Sequence, residues 1–262
     1  MTDTSSARPR GRPRKDSGPA PTTEVLAAAL HAFASHGYQG VSVRTLNREL
    51  GVSHNLLHQR FGSKEAIWYA AVDWGFGGLL EELALADADL ADPLERLRAF
   101  IRAFVAFSAR HPDLARVANA EGSAEDSGAM QRLDYLLHSY VRPSMERIAP
   151  LYRELVVSER VREVPPETLY YLITSAGLMY SNHAMTRALF SGASLAEDRI
   201  ESYADSIATV ILDGVTRRPG SEGSRTGESS TQVARGRPHW EPRAMLVTRS
   251  SHPGARLRDW ST

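Results

Sequence analysis

Apolar residues recur three and four positions apart along most of the chain between residues 22 and 216. This spacing is typical of amphipathic helices that pack one face into a core. No segment shows the sustained alternation of apolar and polar residues that half-buried strands require, and no internal repeat emerges. At 262 residues the chain is long enough to bury a sizeable core. The pattern therefore predicts an all-α protein.

Two short predicted helices in the first quarter of the chain are separated by a tight turn. The first covers about Val43 to Leu50 and has Ser42 as its N-cap. Gly51 follows as the left-handed residue that ends a helix. The second covers about His54 to Arg60, places its leucines inward and leaves its polar side chains outside. This arrangement predicts a helix-turn-helix whose second helix enters a DNA major groove.

The segment from about Thr22 to Ala71 resembles the DNA-binding domain of the tetracycline-repressor (TetR) family. The matching features are Ala32-Phe33, Gly37-Tyr38, Leu46, Gly51-Val52-Ser53, Leu57, Phe61 and Ser63-Lys64-Glu65. Departures include Asn47, where the family usually has Ala, and His58 and Arg60, where Tyr and His are common. The resemblance implies an N-terminal three-helix helix-turn-helix domain followed by a helical ligand-binding and dimerisation domain.

Amide and guanidinium side chains on the second helix can pair with base edges through two hydrogen bonds each. We expect the recognition surface to comprise Ser53, His54, Asn55, His58, Gln59 and Arg60. Contacts to the DNA backbone are expected from Ser42, Arg44 and Lys64, the last in the first turn of a helix capped by Ser63. The i, i+4 spacing of His54 and His58 also suits zinc, but the helix offers no cysteine or acidic partner, which favours DNA contact.

Residues 1–21 are rich in Ser, Pro and Arg and are predicted to be disordered. Their Arg-Gly-Arg-Pro core resembles an AT-hook, which lies in a narrow minor groove. The residues expected to make that contact are Arg10, Gly11, Arg12, Pro13 and Arg14. The alternative is a generic basic tail that binds phosphates alone.

Charge is unevenly distributed, although the formal net charge is zero. Residues 1–64 hold nine Lys or Arg and four Asp or Glu, whereas residues 65–216 hold thirteen and twenty-three. A basic front end before an acidic body is typical of a nucleic-acid reader with a separate body domain. The tail from residue 217 is rich in Arg, Gly, Ser and Pro and is predicted to be disordered.

Helical periodicity continues through the body. We assign residues 22–81 to the DNA-binding domain, 82–216 to an effector-binding and dimerisation domain, and 217–262 to the tail. Within the body we expect a helix starting at Asp92, a helical stretch over 129–157 kinked near Pro143, and further helices over about 165–190 and 195–216. Gly75, Gly77 and Gly78 mark either a hinge or a helix end with a loop.

The resemblance implies that the body binds a small molecule and that its last two helices pair with a second copy in a homodimer. Aromatic and methionine residues could line the effector pocket. The candidates are Trp74, Phe100, Phe104, Phe107, Tyr140, Met145, Tyr171, Met179 and Tyr180. Because the body is acidic, we expect a neutral or cationic, apolar effector.

Several classes of function are disfavoured. The absence of cysteine excludes disulfides, thiolate zinc sites and cysteine nucleophiles. No apolar run approaches a membrane span, so we expect a cytoplasmic, nucleoid-associated protein with no cofactor. No nucleophile elbow, phosphate loop or dinucleotide fingerprint indicates an enzyme. We therefore predict a sequence-specific transcriptional regulator that is released from a palindromic operator by a small molecule. The alternatives are an architectural AT-hook protein and an enzyme.

Overall fold

The computed structural model describes residues 22–52, 56–178, 186, 188 and 196–217. Helices in these ranges are α1 Thr22–Gly40, α2 Val43–Glu49, α3 Leu56–Phe61, α4 Lys64–Ala86, α5 Pro93–Arg110, α6 Pro112–Ser123, α7 Ala129–Leu136, α8 Arg142–Val157, α9 Pro166–Gly177 and α10 Glu197–Val215, with a π-helical turn at Leu137–Val141 between α7 and α8. The described ranges contain no β-strand, only an isolated bridge between Val161 and Thr216. The all-α prediction is confirmed.

Side-chain caps start three helices where the sequence predicted them. Ser42 accepts a hydrogen bond from the Thr45 amide at 3.0 Å, and Ser63 accepts one from the Ala66 amide at 3.1 Å. Asp92 accepts one from the Leu94 amide at 3.0 Å, with Pro93 in the first turn. Each cap satisfies a backbone donor that the helix itself leaves open.

Helix α4 continues without a break through its glycine cluster, so the alternative of a helix end and loop there was wrong. The reason is packing, because Gly75 is buried where α4 approaches its neighbours closely. A Cβ at Gly75 would lie 2.5 Å from Leu114 Cδ2 and 3.2 Å from Leu30 Cδ2. The cluster therefore allows contact between helices. The boundary that we assigned between residues 81 and 82 falls inside this continuous helix.

The predicted helical stretch over 129–157 is interrupted before Pro143 by the π-helical turn. Proline has no amide hydrogen to complete the α-helical ladder, which suits a local change to the wider turn. Helix α6 ends at Ser123 and α9 at Gly177. The predicted helix over about 165–190 is present up to Gly177, and most of the residues between 179 and 195 lie outside the described ranges.

Helix α5 lies between two hydrophobic clusters and contributes to both. Its Phe100, Ala103 and Phe107 pack with α1–α4, α6, α7 and the π turn. Its Leu97, Ile101 and Val105 pack with α8, α9 and α10. The first cluster therefore runs from the helix-turn-helix into the body. Among the described residues, no helix is both long enough and apolar enough to cross a bilayer.

Candidate nucleic-acid interface

A three-residue segment after α2 builds the turn of the helix-turn-helix. Leu50 donates its amide to the Leu46 carbonyl, and Gly51 follows with φ +63°. Val52 then donates to the Asn47 carbonyl at 3.0 Å. A side chain with a Cβ is disfavoured in the left-handed region, which explains glycine at this position. The predicted turn is confirmed.

Asn47 connects the two helices of the motif, a role that the sequence analysis missed. Its side chain is 3% exposed. Nδ2 donates to the Val43 carbonyl at 2.9 Å, and Oδ1 accepts from the Leu57 amide at 3.4 Å. The second contact reaches the first turn of α3, where helical backbone donors lack internal partners. The available signal was a polar residue on the apolar face of α2.

The outer face of α3 carries the described part of the predicted reading surface. His58, Gln59 and Arg60 are exposed, while Leu57 on the opposite face is fully buried. Arg60 donates to the Thr22 hydroxyl, and its guanidinium lies 5.8 Å from the Phe61 ring centroid. Ser53, His54 and Asn55 lie outside the described residues, as do Arg10, Gly11, Arg12, Pro13 and Arg14 of the arm.

The start of α4 lies beside the link between α1 and α2. Lys64 Nζ donates to the Tyr38 carbonyl at 2.9 Å and to the Val41 carbonyl at 3.1 Å. It also lies 4.1 Å from the centroid of the Tyr38 ring. Desolvation lowers the pKa of Lys64, and Arg132 lowers it further. An ammonium has three donors, so two carbonyls leave capacity for a phosphate. Ser42 and Arg44, also predicted to contact the backbone, are exposed.

A body residue, Arg132 on α7, covers the same tyrosine ring. Its guanidinium carbon lies 3.9 Å from the Tyr38 centroid. Its Nε donates to Glu121 at 2.8 Å, and its NH2 group donates to Asp126 at 2.7 Å. The Arg132 side chain is 4% exposed. The ion pair holds the pKa of Asp126 down at about 2, whereas burial raises the pKa of Glu121. The helix-turn-helix and the body therefore meet through charged groups as well as through the core.

The predicted pocket residues lie in different environments. Phe100, Phe107 and Tyr140 are buried in the first cluster, and Phe104 and Met145 are half-buried. Trp74 is 38% exposed and Tyr171 is 64% exposed. These two side chains therefore lie at the surface of the chain. Met179 and Tyr180 lie outside the described residues.

Two tyrosines from the α7 region share one carboxylate on α4. Tyr135 and Tyr140 each donate to Asp73 Oδ1 at 2.5 Å. Tyr140 also stacks on Phe76, with centroids 5.2 Å apart. Burial and the neighbouring carboxylate raise the pKa of Tyr135 to about 12 and raise that of Tyr140 further. Both hydroxyls therefore stay protonated near neutral pH and hold α7 and the π turn against α4.

Comparison with known proteins agrees with this architecture. The family model described as "Bacterial regulatory proteins, tetR family" matches residues 25–71, and "Tetracyclin repressor-like, C-terminal domain" matches residues 93–211. The chain is similar to the HTH-type transcriptional regulator RutR of Escherichia coli K12, with 25% identity over 74% of this chain and 90% of RutR.

Two further proteins are similar to this chain. The HTH-type transcriptional repressor NicS of Pseudomonas putida is 21% identical over 74% of this chain and 91% of NicS. The crystal structure of AibR in complex with isovaleryl coenzyme A and operator DNA is similar in fold, with a TM-score of 0.52, 19% identity and coverage of 72% of this chain and 96% of AibR. RutR is a transcriptional regulator and NicS a transcriptional repressor. The chain belongs to the TetR family and is a DNA-binding transcriptional regulator.

Proposed function

We propose that two copies of this chain bind a palindromic operator and repress transcription until a small molecule binds the body. The observation that carries the proposal is the exposed polar face of α3. Its apolar face is buried, and the turn at Gly51 has the left-handed conformation that a helix-turn-helix requires. The relative NicS is a transcriptional repressor, which supports the same role for this chain. In a dimer, two recognition helices would enter successive major grooves about 34–36 Å apart, or somewhat wider.

Dimerisation is supported by exposed apolar side chains on α9 and α10. Tyr171 and Leu172 on α9 are 64% and 50% exposed, and Val210 on α10 is 69% exposed. Large apolar groups that are exposed on adjacent helices favour contact with a partner. We assign this partner to a second copy of the chain, which would supply the two-fold symmetry that a palindrome requires.

The proposed effector is apolar and neutral or cationic. Apolar recognition is supported by the aromatic side chains of α5 and the π turn, including Phe104, which packs against both hydrophobic clusters. The acidic excess of residues 65–216 disfavours an anion. The complex of AibR with isovaleryl coenzyme A and operator DNA supports the binding of a small molecule by such a body, whereas the charge preference rests on the acidic excess of this chain alone. We assign the protein to the cytoplasm, where it would associate with the nucleoid.

Base reading is assigned to the recognition helix, and backbone contact to Ser42, Arg44 and Lys64. The N-terminus of α4 offers backbone amides and a cation side by side, a combination that suits a phosphate. The arm over residues 10–14 is assigned to the minor groove beside the operator.

The test is selection of genomic DNA fragments with the purified full-length protein, followed by footprinting of the enriched fragment. The proposal predicts protection of one inverted repeat with two-fold symmetry. The control is a variant with His58→Ala and Gln59→Ala, which changes only exposed side chains and should lose the enrichment while keeping weak general binding. Diffuse protection without a shared motif would contradict the proposal and favour the architectural alternative.

A further inference from the structure

Lys64 lies where α1, α4 and α7 meet. Its Nζ is tied to the carbonyls of the link between α1 and α2 and lies over the Tyr38 ring. The same ring carries the guanidinium of Arg132, whose charge is in turn engaged by two carboxylates. One aromatic ring thus contacts a cation of the DNA-binding domain and a cation of the body.

Arg132 makes this arrangement electrostatically stable. While it is in place, Glu121 and Asp126 both pair with its guanidinium, and the guanidinium repels the Lys64 ammonium. If Arg132 moved away, Glu121 and Asp126 would lose its guanidinium as a partner. The Lys64 ammonium would then be the cation next to them. The Lys64 ammonium lies 4.1 Å from the centroid of the Tyr38 ring that the Arg132 guanidinium also covers, and the charge of Asp126 favours the charged form of Lys64. Removing one member of a buried ion pair leaves an uncompensated charge, which is strongly unfavourable.

We propose that Arg132 is a positioning residue for DNA binding, which pairs with Glu121 and Asp126 so that Lys64 stays at the start of α4 and available to a DNA phosphate. When α7 moves, the two carboxylates draw Lys64 inward and the phosphate contact is lost. This inference rests on the proposed function, since it requires Lys64 to contact DNA.

Helix α7 contacts aromatic side chains through which ligand binding in the body could move Arg132. One turn after Arg132, Tyr135 packs edge-on against Tyr69 at 4.6 Å between centroids and donates to Asp73. The π turn follows directly, and its Tyr140 stacks on Phe76. A ligand that displaces the aromatic side chains of the body would therefore pull on the helix that holds Arg132. The energy available for this coupling equals the difference in ligand affinity between the two arrangements.

The experiment is a double-mutant cycle on the full-length protein, with a random-sequence duplex and the genomic fragment enriched by the wild type as probes. The readout is the slope of log affinity against log salt concentration, which counts phosphate contacts. Loss of folding stability alone does not change this slope in the folded protein. The four proteins are the wild type, Lys64→Ala, Arg132→Met and the double variant.

We expect Lys64→Ala and Arg132→Met each to reduce the magnitude of the slope by about one unit, because one phosphate contact is lost in either case. The double variant should lose no more than either single variant. The wild-type slope should be restored when Arg132→Met is combined with Glu121→Gln and Asp126→Asn. No carboxylate then remains at these two positions to attract Lys64. If Arg132→Met does not fold, Arg132→Gln takes its place with the same expectation, because it keeps a hydrogen-bond donor for Glu121.

The matched control is Arg96→Met on α5, which pairs with Asp87 at the C-terminal end of α4. Arg96 also pairs with a buried carboxylate, Asp87, at 3.0 Å. Its loss should leave the slope unchanged. An unchanged slope in folded Arg132→Met, or an undiminished effect of Lys64→Ala in that background, would overturn the inference. An unchanged slope in Lys64→Ala alone would overturn it too, while leaving operator binding intact. Failure of the wild type to enrich any fragment would instead contradict the proposed function.

Discussion

Asn47 occupies a position on α2 whose neighbours are apolar, yet both ends of its amide have partners. A buried amide is tolerated only when its hydrogen bonds are made, and removing the side chain leaves the partners unsatisfied. Because one partner is the amide of Leu57, this single residue fixes the start of the recognition helix relative to α2.

Substitution of Asn47 with alanine should therefore destabilise the protein by about 1–3 kcal/mol and weaken DNA binding. The measurement is denaturant unfolding together with operator affinity. Arg48→Ala, an exposed neighbour on the same helix, is the control and should change stability by less than about 0.5 kcal/mol. Equal effects of the two substitutions would show that the Asn47 bridge contributes nothing.

Asp92 is the second residue whose role can be measured. Hydrogen bonds from Arg160 and the Leu94 amide hold the pKa of this carboxyl at about 2, below its usual 3.8. A depressed folded-state pKa contributes stability that is present above pH 3.8 and is lost as the pH falls towards 2. Asp92→Asn keeps a capping oxygen but does not titrate in this range.

The variant should consequently melt below the wild type at pH 7, and the difference should shrink as the pH falls from about 4 to 2. Thermal midpoints measured by circular dichroism across this range would check the expectation. A difference independent of pH would mean that the Asp92 charge does not stabilise the helix.

At the scale of elements, α4 is the continuous connection between the DNA-binding domain and the body. Its glycines differ in surroundings, which gives a matched pair. A Cβ at Gly75 would meet Leu114 and Leu30, whereas a Cβ at Gly77 would meet nothing within 4 Å. Substitution at Gly75 tests how closely the helices pack, whereas substitution at Gly77 tests only the low helix propensity of glycine.

Gly75→Ala should lower stability by about 1–3 kcal/mol through overpacking, even after the propensity gain. Gly77→Ala should raise stability by about 0.5–1 kcal/mol, because alanine favours the helix. Chemical denaturation of both variants would test the pair. Stabilisation by Gly75→Ala would show that α4 does not pack as closely as described.

Local features could be predicted from the sequence, and long-range ones could not. Ser42, Ser63 and Asp92 start helices because an N-cap acts within three residues, so its signal is contiguous. The left-handed turn at Gly51 follows for the same reason. The continuity of α4 depends on Leu114, far along the chain, and the Arg132 pair depends on a tertiary neighbour 11 residues away. Aromatic residues indicated the pocket only by type, and type does not distinguish buried Phe107 from exposed Tyr171.

In the molecule as a whole, the basic charge lies in the DNA-binding part of the chain and the acidic charge in the body. The basic front end attracts DNA without regard to sequence, while the acidic body avoids it. The first hydrophobic cluster extends from the helix-turn-helix into the body, so packed side chains connect the two.

The basic arm gives a prediction at this scale. Deletion of residues 1–20 should weaken binding most for operators with A·T-rich flanks, because narrow minor grooves attract arginine. Affinities of the full-length and truncated proteins should be compared on one operator with A·T-rich and with G·C-rich flanks. Equal losses on both would assign the arm to general phosphate contact.

The most direct test of the central claim is the ratio of two dissociation constants at about 150 mM salt, one for the enriched genomic fragment and one for a shuffled fragment of equal composition. An operator-specific regulator should bind its own site at least about 1,000-fold more tightly. Gln59→Ala should reduce this ratio while leaving affinity for the shuffled fragment unchanged. A ratio near one for the wild type would contradict the account, since the surface of α3 would then read no sequence.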